Sequence, residues 1–335
     1  MPYYRRIDAS KAEGRRTIEG ILRLKEALDK EIPQKTLDQT LLVASWNLRE
    51  FGGNKFGGRQ DEPLYYISEI MSRFDLIAVQ EVRDNLDALD SLMYILGGWW
   101  KYLVSDVTQG PQGNNERLAF IYDTRKLAFG GLAGEITAPM KKRDKTLLAE
   151  FAFARSPYMV GFRAGWFKFT ICTSHLYYGE AKPDDEQRQK ESEQIVNLLK
   201  ERMKDKDRWA NNTILLGDFN IFSTEDETFK AIEKAEFKLP EGLRGTYTNA
   251  NLDKPFDQMA FLAPDVDKQV KLAKTAVFPF FNYVYRDADK DIYFSGQEKT
   301  TYHQWRTFKM SDHLPVCVEL GVDFGKDYLT NKMKK

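Results

Sequence analysis

Residues 213–220 read TILLGDFN: a short β-branched and apolar run, then a glycine, an aspartate and an asparagine. The run has the length and branching of a buried strand, and Asp218 and Asn220 stand where the chain leaves the core. The same arrangement recurs along the chain. LLVASW (41–46) ends in Asn47, DLIAVQ (75–80) in Glu81 and FTICTS (169–174) in His175, while Asp312 and His313 immediately precede the last strand, PVCVEL (315–320). Any one such residue reads as a turn or cap residue. Repeated at five strand ends, the pattern predicts a rigid scaffold presenting Asn, Asp, Glu and His on one rim, where catalytic groups are found.

Around these strands the pattern predicts an α/β domain of packed layers. Apolar residues at helical spacing predict helices over 9–32, 63–74, 84–97, 184–204 and 226–235; further strands are predicted at 101–105, 118–122, 158–163 and 256–262. Ser10 and Glu13 have the spacing of a capping box for the first helix, and Pro33 closes it. Its basic residues Arg15, Arg16, Arg23 and Lys25 alternate with acidic ones, as on a solvated face. The expected division is an N-terminal helical extension (1–40), a main domain (41–322) and a C-terminal tail (323–335).

With 335 residues, 42% of them hydrophobic, the chain can bury a large core. Lys and Arg balance Asp and Glu at 50 each, so no global positive field points to nucleic acid. Activity must be argued from the site. No apolar run approaches the roughly 20 residues of a membrane span, and the charged start MPYYRRIDASKAEGRR has no apolar signal-peptide core. Cys172 and Cys317 lie inside apolar runs and read as buried thiols without a disulfide. The expected location is cytoplasmic, with no membrane partner.

Carboxylates and amides with few thiols make a hard oxygen site, suited to Mg²⁺ or Mn²⁺ rather than zinc. The chain has three histidines, and His175 and His313 both stand at strand ends, where a group titrating near neutrality suits proton transfer. His303, in TYHQW, lacks that placement and reads as a surface or loop residue.

WNLREFGG (46–53), DLIAVQEVRDN (75–85), SHLYYG (174–179), LLGDFN (215–220), FDQMAF (256–261) and MSDHLPV (310–316) resemble, in order and spacing, the successive motifs of the endonuclease/exonuclease/phosphatase superfamily. NLREFGG, QEVRDN and NNERLAF (114–120) are most similar to its deoxyribonuclease I-like branch. The resemblance covers residues 41–322. It implies an α/β four-layer sandwich of two mixed β-sheets packed face to face and flanked by helices. It also implies a Mg²⁺-dependent phosphoric-diester hydrolase, with Mn²⁺ as a substitute and DNA as the first-choice substrate. Glu81 would be the principal metal ligand, completed by Asp312 and Asn47, and Asp218 and Asn220 would position the scissile phosphate. His313, oriented by Asp257, would act on the attacking water, and His175, paired with Glu116, at the leaving oxygen. Which of the two is base and which acid stays open. Arg155 in ARSPYMVGF would contact the phosphate. Carboxylate-oriented imidazoles, a cation and an arginine are what in-line displacement at phosphorus calls for.

Other residues bear on the substrate. By the same resemblance, Arg83 matches an arginine that enters the minor groove, and Asn114 occupies a loop position where deoxyribonuclease I carries a DNA-packing aromatic. The insertion NKFGGRQDEP (54–63) and residues 282–308 could reshape the cleft. Asp287, Asp289, Asp291 and Glu298 have calcium-loop spacing but Ile292 replaces the required glycine. Gly52-Gly53 and Gly57-Gly58 lack the Gly-Lys-Ser/Thr of a phosphate loop and read as flexible; KKRDK (141–145) reads as solvated. Two alternatives to a nuclease stand: a phosphatase or phosphodiesterase of small phosphorylated molecules, and, more remotely, a non-catalytic domain that binds nucleic acid or a partner.

Overall fold

The computed structural model describes residues 1–109, 112–143, 146–149, 151–262, 272–294 and 300–334. Its strands are β1 (Thr40–Phe51), β2 (Leu76–Arg83), β3 (Trp100–Val104), β4 (Glu116–Asp123), β5 (Ala128–Glu135), β6 (Met140–Arg143), β7 (Thr146–Ala149), β8 (Tyr158–Ala164), β9 (Phe167–His175), β10 (Asn212–Asp218), β11 (Asp257–Leu262), β12 (Leu272–Val277) and β13 (Val316–Gly321). The helices are α1 (Ala12–Glu31), α2 (Asp61–Met71), α3 (Asp87–Leu96), α4 (Glu186–Lys204), α5 (Glu227–Lys234), α6 (Lys290–Tyr293), α7 (Tyr302–Lys309) and α8 (Gly325–Met333). A six-stranded sheet has the order β12-β13-β1-β2-β4-β3, a five-stranded sheet the order β11-β10-β9-β8-β5, and β6 and β7 form a separate hairpin.

Alternation along each strand sends side chains to both faces, and both faces are covered. From β1 and β2, Leu41, Val43, Leu76 and Ala78 meet Val160, Phe162, Phe169, Ile171, Ile214 and Leu216 of the second sheet. The alternate residues Leu42, Ala44, Ile77 and Val79 pack under Leu24, Ile67, Ile70 and Leu89 of α1–α3. On the far side, Cys172 and Leu215 pack under Ile195, Leu199, Phe229 and Ile232 of α4 and α5. The result is the expected four-layer sandwich of two mixed sheets. Cys172 and Cys317 are buried and unpaired, in different sheets, and burial pushes both thiols up to about 12.

Parallel neighbours β1 and β2 are joined through α2, and parallel β9 and β10 through α4. Parallel strands share a C-terminal edge, so Asn47 and Glu81 leave the first sheet together, and His175 and Asp218 stand directly opposite one another in the second. Asp257 of antiparallel β11 lies opposite Asp218 on its other side.

Several expectations are corrected. Helix α1 begins at Ala12 with Lys11 as its N-cap and no side-chain cap; the Ser10 hydroxyl instead donates to Asp8. Its basic face is not simply solvated, because Arg16 pairs with the buried Glu62, Lys25 with the buried Glu69, and Arg23 donates to the Tyr283 carbonyl. Strands β5, β6, β7 and β12 and helices α6, α7 and α8 have no counterpart in the predicted elements. For β5 the reason is compositional: AFGGLAGE is glycine-rich and largely exposed, and the Trp209 ring fills the space where a Gly130 side chain would stand. His303 lies on α7, half-buried. Of the calcium-spaced acids, Asp289 instead pairs with Arg286 and Asp287 with Arg306, and Glu298 lies outside the described residues, as do Asp144 and Lys145 of KKRDK.

Two cations tie distant segments together. Lys35 reaches Asp75 at 3.1 Å, Asp123 at 3.0 Å and the Phe74 carbonyl at 2.9 Å. Burial works against the Asp123 charge, but Arg125 and Lys35 outweigh it and hold its pKa at about 2. Arg59, in the glycine-rich insertion, donates to the carbonyls of Leu48, Arg49, Glu50, Lys309 and Met310, and Lys309 returns a bond to the Gly58 carbonyl. Burial draws Arg59 down to about 10, with Glu81 and Asp312 opposing. The insertion expected to be a flexible loop is thus a staple between the end of β1 and the segment entering Asp312.

Replacing Lys35 with Ala strands two buried carboxylates and is expected to cost about 2–4 kcal/mol at pH 7 in urea unfolding. The depressed Asp123 pKa gives stability that is full above the ordinary value of 3.8 and is lost as pH falls through about 2. The Asp123 share of the gap between wild type and variant should therefore close over that window, and the share of Asp75, whose pKa burial raises against Lys35, at higher pH; a gap independent of pH would refute the pairing. Arg59→Met is expected to cost about 2–4 kcal/mol by leaving buried carbonyls unpartnered. Hydrogen exchange should accelerate selectively around residues 47–51 and 309–313, and uniform acceleration would argue against a staple.

Candidate active site

Both edges of the rim are shaped by irregular backbone. The β1–β2 register shifts between Asn47 and Phe51, and the β2–β4 register between Val79 and Val82. Within these bulges Arg49, Glu50 and Glu81 take left-handed conformations, with φ of 33°, 49° and 59°. Non-glycine residues in that region store strain that the surroundings must hold in place. Here the holding bonds are specific: Asn47 Oδ1 accepts from the Arg49 amide at 2.9 Å and Glu81 Oε2 from the Glu50 amide at 2.8 Å. The bulges thereby turn Asn47 and Glu81 toward each other, and Asn47 Nδ2 donates to Glu81 Oε1 at 2.9 Å.

That same Asn47 nitrogen donates to Asp218 Oδ2 at 2.9 Å, crossing from one sheet to the other. Asp218 Oδ2 also lies 3.5 Å from His175 Nε2 and 3.6 Å from His313 Nε2. Gly217 permits this approach: at φ 138° its α-carbon lies against the Ser174 backbone, where a β-carbon would overlap. Asp218 Oδ1 accepts from the Asn220 amide at 2.9 Å, and Asn220 Nδ2 donates to the Leu176 carbonyl at 2.8 Å, fixing the turn after His175.

Each imidazole has its own carboxylate. His313 Nδ1 is 2.8 Å from Asp257 Oδ2, which is also held by the Thr248 hydroxyl at 2.7 Å. His175 Nδ1 is 3.4 Å from Glu116 Oε2, a looser ionic contact, and the other Glu116 oxygen binds Arg155. Burial opposes the His313 charge, yet Asp257 and Asp218 outweigh it and hold the pKa well above the ordinary value. For His175, burial and Arg155 oppose the charge, while Glu116 and Asp218 prevail and raise the pKa. Glu116 is drawn down to about 2, burial being outweighed by His175 and Arg155.

The ligand atoms of Glu81, Glu116 and His175 lie within 4.8 Å of one another, as do those of Asp218, Asp257 and His313. The second set is already engaged as an imidazole–carboxylate pair. Asp312, expected beside Glu81, belongs to neither group: its Oδ2 lies 3.3 Å from Arg49, and its buried Oδ1 has no hydrogen-bond partner. Glu116 Oε2 and Asp257 Oδ1 are likewise buried without hydrogen-bond partners. Crowded carboxylate oxygens lacking donors fit a hard divalent cation. At the rim, Arg83 donates to the Asn114 carbonyl and lies 3.6 Å from Glu50, so the two residues expected to touch substrate touch each other.

Several supporting residues carry no sequence signal. On α4, Glu191 accepts from the amides of Ala154 at 2.7 Å and Tyr177 at 2.8 Å, joining the Arg155 segment to the one after His175. Arg188, fully buried, donates to the carbonyls of Tyr178 and Lys182. Charged residues within a polar helix read as solvated, and Thr248 and Arg59 lie in loops where nothing marks them.

No family model matches the chain. It is 35% identical to rat deoxyribonuclease-1 over 91 residues, 26% of this chain and 31% of that protein, so the match spans about a third of the relative's length. Among solved structures, an endonuclease/exonuclease/phosphatase family protein of Bacteroides thetaiotaomicron superposes with a TM-score of 0.57 at 22% identity, covering 85% of this chain and 98% of that one. The mannosyl-6-phosphatase Bt3783 of B. thetaiotaomicron superposes at 0.58 with 21% identity (84% and 99% covered), and the human Nocturnin catalytic domain with bound sulfate at 0.54 with 15% identity (85% and 96%). The chain has the fold of the endonuclease/exonuclease/phosphatase proteins.

Proposed function

We propose that the chain is a divalent-metal-dependent phosphodiesterase, with DNA as its first-choice substrate. One observation carries the reading: two imidazoles, each backed by a buried carboxylate, turn their Nε2 atoms toward the same Asp218 oxygen. A phosphate seated over that oxygen would lie between two proton-transfer groups. Water attacks phosphorus, its proton passes to one imidazole, the P–O bond to the leaving group breaks, and the other imidazole protonates the departing oxygen. Asp257 and Glu116 hold the rings in place and stabilise their charged forms. Arg155, in contact with Glu116, places a guanidinium beside His175. Glu81, Asn47 and Asp312 would hold Mg²⁺ or Mn²⁺, which supplies positive charge to the non-bridging oxygens.

A second reading, a phosphatase or phosphodiesterase of small phosphorylated molecules, is favoured by the engagement of Arg83 with Glu50 and the Asn114 carbonyl, which withdraws a rim cation from a duplex. Nicking of supercoiled plasmid separates the readings. With Mg²⁺ or Mn²⁺ the protein should convert plasmid to open circles, and EDTA should abolish the conversion. His175→Ala and His313→Ala should each slow it by about 10²–10⁴-fold, and Glu81→Ala should abolish it without unfolding the protein. Intact plasmid together with hydrolysis of bis-p-nitrophenyl phosphate would transfer the chemistry to a small substrate. Hydrolysis of neither would leave a binding domain.

A further inference from the structure

The end of the sandwich opposite the catalytic rim holds large apolar side chains in water. Trp166 stands at the tip of the two-residue turn between β8 and β9, beside Gly165 at φ 56°, and keeps 65% of its surface exposed. Such turns favour Gly, Asn and Asp, and the turn itself makes no use of an indole. Trp99, 61% exposed, precedes β3 at the same end, and the exposed Leu37 precedes β1. Helix α8 follows β13 there, and every residue from Lys326 to Lys334 is exposed. Its Tyr328 ring meets the Trp166 ring at 5.4 Å and 85°. Leu329 and Met333, one helical turn apart, extend the apolar face.

Cations surround this patch. Arg163 and Lys168 stand directly opposite one another on β8 and β9, just inside the turn, although like charges so placed weaken a strand pair. Lys326, Lys332 and Lys334 lie on or beside α8, with the Lys332 ammonium 5.9 Å from the Tyr328 ring. Among the described residues none of these five cations has a carboxylate partner. The two acids of the segment serve the start of α8: Asp323 Oδ1 accepts from the Gly325 amide at 3.0 Å, and Asp327 lies in the first turn, where negative charge suits the helix dipole. Charge complementarity selects the occupant. Leu37, Leu329 and Met333 offer no face for a base to stack on, which disfavours a nucleic acid. A second copy using the same patch would set lysine against lysine. Unpaired lysines around tryptophan and tyrosine match the headgroup region of an anionic bilayer, where such rings settle at the water boundary.

We propose that this end of the molecule is a docking surface for an anionic lipid bilayer, with Trp166, Tyr328, Leu329 and Met333 entering the interface and the lysines around them meeting lipid headgroups. No described helix is long and apolar enough to cross a membrane, so the contact is peripheral. A bilayer partner replaces the expectation of none, whichever phosphoester the site hydrolyses. Strand β9 runs from Phe167, next to Trp166, to His175, and its 9 residues span about 30 Å. The docked protein therefore holds its catalytic rim away from the bilayer, facing a substrate in water.

The test is co-sedimentation of the full chain with vesicles of phosphatidylcholine, alone or mixed three to one with phosphatidylserine. The protein should pellet with the anionic vesicles, be released by high salt, and bind phosphatidylcholine alone far more weakly. Replacing Lys326, Lys332 and Lys334 with Gln should weaken binding about fivefold per lysine. Leu329→Ser combined with Met333→Ser should weaken it about tenfold, with circular dichroism unchanged in both variants. Leu252→Ser, which alters an exposed apolar residue in the loop bridged to His313, should bind as the wild type does. Failure to pellet with anionic vesicles, binding that survives both sets of changes, or binding lost in Leu252→Ser would each overturn the docking surface. A dimer dispersed by the Leu329 and Met333 changes, without vesicle binding, would assign the patch to a second copy. An oligonucleotide retained only while the lysines are present, again without vesicle binding, would assign it to nucleic acid.

Discussion

Concentrated negative charge is the constraint on which the rest of the structure depends. Asp218, Asp257, Glu116, Glu81 and Asp312 are gathered at one rim, the first three buried and the others partly so. Carboxylates taken out of water repel one another and lose solvation, so each must be met by a donor or a cation. Asp218 meets Asn47 and two imidazoles, Asp257 meets His313 and Thr248, and Glu116 meets Arg155 and His175. The raised histidine pKa values and the depressed one of Glu116 are two aspects of this compensation. Buried oxygens without a hydrogen bond, on Asp312 and Asp257, leave room for a divalent cation to add to the balance.

Such a cluster holds together only on a stiff support. The two sheets supply it by facing their parallel strand pairs so that the C-terminal ends coincide. Precise placement then comes from outside the strands. Bulges with left-handed backbone at Arg49, Glu50 and Glu81 re-aim the first sheet's residues, and Arg59 fastens that strained turn to the segment entering Asp312 and His313. On the other sheet, Glu191 and Arg188 of α4 hold the Arg155 and Tyr178 segments. The strain near the centre is thus balanced by bonds from elements remote in sequence.

The strands that carry the site were legible because their composition and function coincide: a short β-branched run ending in Asn, Glu, His or Asp is distinctive, and TILLGDFN illustrates it best. The elements that were not legible lack the apolar periodicity that marks burial. Strand β5 is glycine-rich, with the Trp209 ring where a Gly130 side chain would stand, and largely exposed, and α7 shows only a short stretch bearing His303. At the start of α1 the capping residues suggested by Ser10 and Glu13 go unused, since Asp8 takes the serine hydroxyl. Local hydrogen bonding there competes with the cap and wins.

By itself the sequence determined the strands that carry the site, the residue types at their ends and hence the kind of chemistry they suit. It did so because side-chain alternation, β-branching and turn residues are local properties of the chain. Only the tertiary structure decided which oxygens share which protons. That Asn47, His175 and His313 meet on one oxygen of Asp218, that Asp312 lies beside Arg49, and that Arg83 turns to Asn114 depend on distances between segments many residues apart. Those distances follow from sheet packing, bulges and buried arginines. Electrostatic energy varies with separation and solvent exposure, and neither is written in local sequence.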